Sequence, residues 1–166
     1  MINSDFEILK AHRSDYEVLT NIAFSAKRHW DYPDSYFDVW KDELTISDKY
    51  IDKNIVYKIL VNNEIVGFYS IVENKKDIWI GEVLVQKGFW MEHIFIKPAY
   101  HQKGYGRKLI NHAKKISNST GITQLLIFVD PNATGFYEKI GAKFLYNSKS
   151  SIPGRMIPVY FLILNT

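Results

Sequence analysis

The chain has 166 residues, of which 46% are hydrophobic, 15% aromatic and 23% charged, and its net charge is +3. This length and composition predict one soluble globular domain spanning residues 1–166. The positive charge is mild and the lysines are spread along the chain, which argues against nucleic acid as a partner. Because there is no cysteine, disulfides, thiolate metal sites and an acyl-cysteine intermediate are excluded, and no metal is expected.

The N-terminal sequence and the hydropathy pattern bear on where the protein works. Residues 1–7 lack the pattern of a signal peptide. No apolar run approaches the roughly 18 residues needed to cross a bilayer. We therefore expect a cytoplasmic protein that does not use a membrane as a partner.

The first part of the chain is predicted to contain a strand and two helices. Residues 6–9 are typical of a short strand, and Ser14 and Asp15 are expected to cap a helix that runs to about Arg28. Pro33 interrupts the helical pattern. Asp34 or Ser35 is expected to cap a second helix, whose candidate apolar positions are Phe37, Val39, Trp40 and Leu44.

The middle of the chain reads as strands. Residues 55–61 and 65–72 form a predicted hairpin across the polar residues 62–64. Residues 78–85 fit either a further strand or a long excursion. Residues 89–96 form a predicted strand that ends at Lys97-Pro98.

Helices and strands alternate in the last part of the chain. A helix is predicted from about residue 104 to 118, followed by an almost entirely apolar run at 125–129, which is typical of an interior strand. A short helix over about 132–140 ends at Gly141. Two last strands are predicted at 143–146 and 157–164. The whole pattern indicates a mixed α/β domain.

The strongest functional signal is a strand, a turn with two glycines and the start of a helix. Gly104 and Gly106 allow the backbone to close around an anion, because glycine tolerates angles that other residues resist. The first N–H groups of a helix lack internal partners and favour negative charge. Lys103 and Arg107 add positive charge. Two glycines alone are more typical of an ordinary strand-to-helix turn, and neither a P-loop nor the dinucleotide fingerprint is complete.

Two motifs in this part of the chain resemble the GNAT superfamily of N-acetyltransferases. Residues 101–106 resemble its acetyl-CoA-binding motif, Gln/Arg-x-x-Gly-x-Gly/Ala, with His101 as a departure at the first position. Residues 130–142 resemble the family's helix motif, in which an asparagine is followed by a tyrosine and, four residues after the tyrosine, by Gly-Ala or Gly-Phe. The order of elements along nearly the whole chain also agrees. The resemblance implies one GNAT domain, with a mixed, mostly antiparallel, twisted sheet of six to seven strands flanked by about four helices.

The resemblance also implies acetyl-CoA as the co-substrate. In the family, the strand before the glycine turn pairs its backbone with the pantetheine arm, and the turn binds the diphosphate. The positions that match, together with the asparagine that hydrogen-bonds pantetheine in the family, are Ile94, Phe95, Ile96, His101, Gln102, Lys103, Gly104, Tyr105, Gly106, Arg107 and Asn132. Asn132 also suits an ordinary helix cap.

Direct acetyl transfer needs a base for the amine and a donor for the departing thiolate. Tyr137 matches the family's tyrosine near the CoA sulfur, and the alternative is a tyrosine that packs on the sheet. Glu92 is the candidate base, because several GNAT enzymes use a glutamate on this strand. The alternative is an exposed or salt-bridged glutamate. If Glu92 lies among apolar neighbours, its burial is costly unless it is paired or functional. His93 is an alternative base.

The acceptor is expected between the first two helices and the last strands. Trp30, Tyr32, Tyr36 and Trp40 offer aromatic faces that attract a cation, although Trp40 fits the core better. Arg155 suits an acceptor carboxylate or a loop contact. The expected partner is an amine-bearing small molecule or peptide, and the family's frequent dimers allow a homodimer. The rival interpretations are a GNAT-like domain that binds acetyl-CoA without turnover and, more remotely, a nucleic-acid-binding protein.

Overall fold

The computed structural model describes residues 5–164. Contacts between residues group them into two compact units. Within the described residues, the first unit contains 5–70 and 93–112, and the second contains 71–92 and 113–164. The ends of the predicted 1–166 domain lie outside the described residues.

The bounds of the elements follow the chain order. The strands are β1 Phe6–Lys10, β2 Ile55–Val61, β3 Glu64–Asn74, β4 Ile78–Ile80, β5 Val83–Val85, β6 Gly88–Ile96, β7 Gln124–Phe128, β8 Lys143–Lys149 and β9 Met156–Ile163. The helices are α1 Tyr16–Arg28, α2 Asp34–Leu44, α3 Asp48–Lys53, α4 Tyr105–Ser119 and α5 Thr134–Lys139.

Seven strands of the described chain form one mixed sheet in the order β1-β2-β3-β6-β7-β9-β8, while β4 and β5 form a separate hairpin. β6 and β7 are parallel, whereas β1 with β2, β7 with β9, and β8 with β9 are antiparallel. The predicted α/β class and the mixed, mostly antiparallel sheet are confirmed. The described residues contain five α-helices instead of about four.

Local sequence explains the elements of the first unit. α1 follows a 3-10 turn with a capping box, in which the His12 side chain accepts from the Ser14 N–H and the Asp15 carboxylate accepts from the His12 N–H. The hairpin between β2 and β3 turns at Asn62 and Asn63, both with positive φ (51° and 65°), as a two-residue turn requires.

The interior strand predicted at 125–129 organises the second unit. Leu125 and Ile127 of β7 are almost fully buried, as the apolar run indicated. Gly141 follows α5 with φ of 95°, which confirms the predicted C-terminal glycine. Residues 78–85, which fitted either a strand or an excursion, form the short β4–β5 hairpin.

Two expectations about the first unit are wrong. Val39 of α2 is 43% exposed, whereas Phe37, Trp40 and Leu44 are buried, so the buried stripe of this helix is narrower than expected. Helix α3 was not predicted, because six residues with one buried side chain, Ile51, carry almost no periodic signal.

The closest backbone approach in the first unit involves Gly67 of β3. A Cβ atom at this position would lie 2.7 Å from the carbonyl oxygen of Phe95 and 2.5 Å from Cδ1 of Ile96. The Lys97 N–H donates to the Val66 carbonyl at 2.8 Å beside it. The end of β6 therefore sits against β3 at a distance that only glycine permits.

We expect Gly67→Ala to destabilise the protein by about 1–3 kcal/mol, since the added methyl group meets backbone that cannot move without separating two strands. The measurement is urea unfolding followed by circular dichroism. Gly135→Ala in α5 is the matched control, because nothing lies within 4 Å of its Cβ position, and it should be neutral or stabilising by up to about 1 kcal/mol. Equal stability of the two variants would contradict the close approach.

Candidate functional site

In the first unit, the turn after β6 leads into the N-terminus of α4. A 3-10 turn at Pro98–Tyr100 is followed by Gln102 (φ 60°) and Gly104 (φ 82°). The first helical hydrogen bond runs from the Lys108 N–H to the Gly104 carbonyl at 3.1 Å. The amides of Gly104, Gly106 and Arg107 come before this bond and belong to the N-terminal set that a helix does not pair internally.

The surroundings of these amides suit an anion. Gly104 is exposed and nothing lies within 4 Å of its Cβ position, so the backbone there is open to a ligand. The first turn of α4 contains no acidic residue, and Lys103 and Arg107 are exposed. The residues present therefore fit a diphosphate, through backbone donors and the positive end of the helix dipole.

His101, the departure from the family motif, forms a hydrogen bond inside the turn. Its Nε2–H donates to the carbonyl of Ile96 at 2.8 Å. The His101 ring also meets the ring of His29 edge to face at 4.9 Å, and His29 contacts Trp30 in the same way at 5.0 Å. The histidine thus ties the end of β6 to the turn, which is a positioning role.

Salt bridges and hydrogen bonds hold the outer side of the same turn. The ammonium of Lys97 lies 2.9 Å from Glu64, and the Tyr100 hydroxyl donates to the other oxygen of that carboxylate at 2.8 Å. The Lys97 hydrogen bond, and then the Tyr100 hydrogen bond, lower the pKa of Glu64. The Lys103 ammonium lies 5.5 Å from the centre of the Tyr100 ring.

At the end of β6, the backbone N–H and C=O groups of the even-numbered residues face the edge away from β3. Because successive backbone groups of a strand alternate between its two edges, the contacts of Phe95 and Lys97 with β3 direct the groups of Ile94 and Ile96 away from β3. The parallel register with β7 among the described residues is Trp90 opposite Leu126. The amide and carbonyl of Ile94 are therefore directed to the edge of β6 that faces away from β3.

The predicted acceptor aromatics divide into two groups in the first unit. Tyr32, Tyr36 and Trp40 contact one another with ring centres 5.1 to 5.8 Å apart, and the Lys27 ammonium lies 4.7 Å from the Trp40 ring. Trp40 is 4% exposed, which confirms its core role. Trp30 is 41% exposed and its ring contacts His29. Trp30 therefore does not join the other three rings, as was expected of all four.

His93, the alternative base, is buried in the first unit. Its ring lies among those of Tyr50, Phe68 and Phe95, at 5.7 to 6.2 Å between centres. Burial, and then the charge of Lys27, lower the pKa of His93 to about 4. At neutral pH the imidazole is uncharged and a weak proton acceptor.

Glu92 belongs to the second unit, two residues after Trp90 on β6. The Glu92 side chain is exposed, so the expectation that burial makes it costly does not hold. Trp90 is buried, stacks on Phe128 with ring centres 4.6 Å apart, and donates its indole N–H to the Gln86 carbonyl at 2.8 Å. The carboxylate therefore stands beside a rigid aromatic anchor.

Tyr137 and Asn132 also lie in the second unit, at the start of α5. The Asp130 side chain accepts from the Asn132 N–H at 2.9 Å and caps the 3-10 turn Pro131–Ala133, while α5 begins after Ala133 without a side-chain cap. Tyr137 is 7% exposed. Burial, and then the charge of Asp130, raise the pKa of Tyr137 far above its usual value, so the phenol stays protonated.

Sequence analysis missed Asp130, although an available signal pointed to it. Asp130 starts an Asp-Pro-Asn sequence, which typically initiates a turn and offers its carboxylate to the N–H two residues later. Arg155, the predicted acceptor residue, is half-buried in the β8–β9 loop, where its carbonyl accepts from the Ser150 N–H at 2.9 Å. Its backbone shapes the loop.

A sequence model described as the acetyltransferase (GNAT) family matches residues 12–142. The chain belongs to this family. It is 28% identical, over 113 residues, to an L-ornithine N5-acetyltransferase of Arabidopsis thaliana, a match that covers 65% of this chain. The match spans 46% of that relative, about half its length.

Solved structures show the same fold. A GCN5-related N-acetyltransferase from Rhodopseudomonas palustris has a TM-score of 0.74 at 16% identity, covering 97% of each chain. The PaiA N-acetyltransferase of Thermoplasma acidophilum, in complex with coenzyme A, has a TM-score of 0.66 at 19% identity, covering 94% of this chain and 98% of that one.

Residues 5–164 contain neither a candidate membrane-spanning helix nor a candidate metal site. No helix there is long and apolar enough to cross a membrane. No group of three or more His, Asp or Glu side chains in this range is arranged to hold a metal ion.

We expect His93 to make stability fall as the pH is lowered from about 6.5 to 4. In this range His93 binds a proton in the unfolded chain but not in the folded chain. The difference between a pKa of 6.5 and about 4 corresponds to a loss of about 3 kcal/mol in the free energy of unfolding. Urea unfolding across this range should show the slope in the native sequence and a shallower one in His93→Phe. Identical slopes would show that His93 is not buried as described.

Proposed function

We propose that this protein is an N-acetyltransferase that moves the acetyl group of acetyl-CoA directly to a primary amine, without a covalent acyl-enzyme. The observation that carries the proposal is the start of α4, where the first amides of the helix follow the exposed Gly104 with its positive φ. The site belongs to one acetyltransferase domain over residues 1–166, and the chain acts in the cytoplasm.

The co-substrate would be held mainly by backbone groups. The amides around Gly104 and Gly106, with Lys103 and Arg107, would bind the diphosphate, while Tyr105 and Gln102 shape the turn. Ile94, with Phe95 and Ile96 beside it, would offer its backbone to pantetheine, and Asn132 its side-chain amide. His101 would position this turn through Ile96. Acetyl-CoA supplies the acetyl group as a thioester.

Glu92 is the proposed base. Its exposed carboxylate can exchange protons with solvent, whereas the imidazole of His93 is buried among aromatic rings. The amine gives its proton to Glu92 as its nitrogen forms the new amide bond and the carbon–sulfur bond breaks. This assignment leaves His93 as an uncharged part of the wall.

Tyr137 is proposed to stabilise the departing sulfur. Because the pKa of Tyr137 is raised, the phenol holds its proton more firmly than a thiol does. Tyr137 therefore acts by donating a hydrogen bond to the developing negative charge instead of giving its proton away. The final proton on the thiol comes from solvent.

Trp30 and Tyr32 in the first unit and Arg155 in the second are the proposed acceptor-binding residues, each for the chemistry of its own side chain. The ring of Tyr32 belongs to a cluster that already holds the Lys27 ammonium at 5.7 Å, which supports an affinity for cations. Arg155, in the β8–β9 loop, would meet a carboxylate in those acceptors that carry one. The proposed acceptor is a small molecule or peptide with a primary amine. A homodimer is compatible with the fold.

We expect Gly104→Ala to weaken coenzyme A binding by about tenfold or more, since the left-handed backbone is strained by any side chain and the amides lose their aim. Isothermal titration calorimetry with coenzyme A measures this. Gly121→Ala is the matched control, because Gly121 has a similar φ (78°), an equally open Cβ position and a place just beyond the other end of α4. Equal affinities in the two variants would count against the diphosphate site.

We expect Tyr137→Phe to lower kcat by about 10²–10³-fold while the affinity for coenzyme A stays within a factor of two to three, roughly. The rate is measured as free thiol released from acetyl-CoA in the presence of a primary amine. Tyr16→Phe on the exposed surface of α1 is the control and should change nothing. If no amine releases thiol from the native protein while coenzyme A binds, the chain is an acetyl-CoA-binding domain without turnover.

A further inference from the structure

An open groove of about 570 Å³ lies in the second unit, between the β4–β5 hairpin and β8. Trp79 and Leu84 of the hairpin and Tyr146 of β8 form its apolar walls, with Gln86 at the end of the hairpin. Trp79 is 67% exposed, an unusual state for the largest apolar side chain.

Strand register places this groove on the same face of the sheet as Glu92. Tyr146 lies opposite Val159, and Val159 lies opposite Phe128. Residues directly opposite in antiparallel strands share a face. The ring of Phe128 stacks on that of Trp90, which brings Trp90 to this face as well.

The alternation of side chains along β6 places the proposed base, Glu92, on this same face. Glu92 follows Trp90 by two residues, and side chains two apart on a strand point to the same face. Val85 of the hairpin and Tyr146 pack against the buried cluster of Trp90, Leu126 and Val159. A continuous apolar surface therefore runs from beside Glu92 towards the groove.

The charges of the groove cancel. Glu82 and Lys149 both line it, and the Lys149 ammonium lies 3.4 Å from the Glu82 carboxylate. Burial, and then the Asp77 carboxylate, raise the pKa of Tyr146, so the Tyr146 hydroxyl stays uncharged. Among the residues that line the groove, the one carboxylate and the one ammonium therefore balance each other.

We propose that this groove receives the tail of the amine acceptor, and that the preferred acceptor is a primary amine with an uncharged aromatic tail. The inference rests on the proposed acetyl transfer and deepens it by naming the substrate class. The exposed indole of Trp79 supplies a stacking surface, and the neutral walls select against polyamines and amino acids. The charged tail of ornithine, the substrate in the name of the Arabidopsis relative, is thus disfavoured here.

The test compares amines that differ only in their tails. Ethylamine and 2-phenylethylamine share the reacting amine and differ by one phenyl group, while 1,4-diaminobutane and L-ornithine carry charged tails. The readout is kcat/KM from free thiol release at saturating acetyl-CoA. We expect 2-phenylethylamine to exceed the other three amines by about tenfold or more.

Variants of the hairpin assign this preference to the groove. Trp79→Ala should bring the ratio of 2-phenylethylamine to ethylamine close to one, without changing kcat/KM for ethylamine or the KM for acetyl-CoA. Ile80→Ala is the matched control, because Ile80 is the next residue, is 65% exposed and does not line the groove. This variant should keep the native ratio.

Each other outcome overturns the proposal. If ethylamine reacts and the phenyl group adds nothing, or if a charged tail is preferred, the groove is not the tail site and acetyl transfer still stands. If Ile80→Ala lowers the ratio as much as Trp79→Ala, the effect belongs to the hairpin's fold. If no amine releases thiol, the proposed function fails together with this inference.

Discussion

The approach of β6 to β3 at Gly67 is the constraint on which the first unit's site depends. Phe95 and Lys97 turn their backbone groups towards β3, and this contact is possible because Gly67 has no Cβ. The amide and carbonyl of Ile94 consequently face the other edge. The absence of a side chain at Gly67 thus allows the approach that sets which backbone groups of β6 face β3 and which face the other edge.

A site built from backbone groups tolerates changes of side chain. His101 stands where the family motif has Gln or Arg, yet its Nε2–H bridges back to the Ile96 carbonyl and closes the turn. The positive φ of Gly104 and the position of Gly106 in the first helical turn depend on glycine much more directly. This difference explains why the two glycines carry the family resemblance although the first motif position departs from it.

Local chemistry made much of the fold predictable from the sequence, and non-local packing limited the rest. The turn at Asn62-Asn63, the break at Pro33 and the glycine at 141 act within a few residues, and the structure has an element boundary at each. Helix α3 has too few residues for a periodic pattern. The exposure of Val39 and Trp30 depends on neighbours distant in sequence, which neither spacing nor composition reveals.

The same limit applies to the pKa values of the titratable side chains, where one physical cause, burial, explains the shifts. Burial disfavours the charged form of both His93 and Tyr137, and it moves the two pKa values in opposite directions because one group is a cationic acid and the other a neutral acid. Both groups are therefore uncharged at neutral pH, which agrees with the roles proposed for them. Of the three side chains considered for proton transfer, the exposed Glu92 is the one that can exchange its proton with water during each turnover. The sequence identified all three residue types, but the division of roles among them follows from the dielectric environment of each, and that environment exists only once the chain has folded.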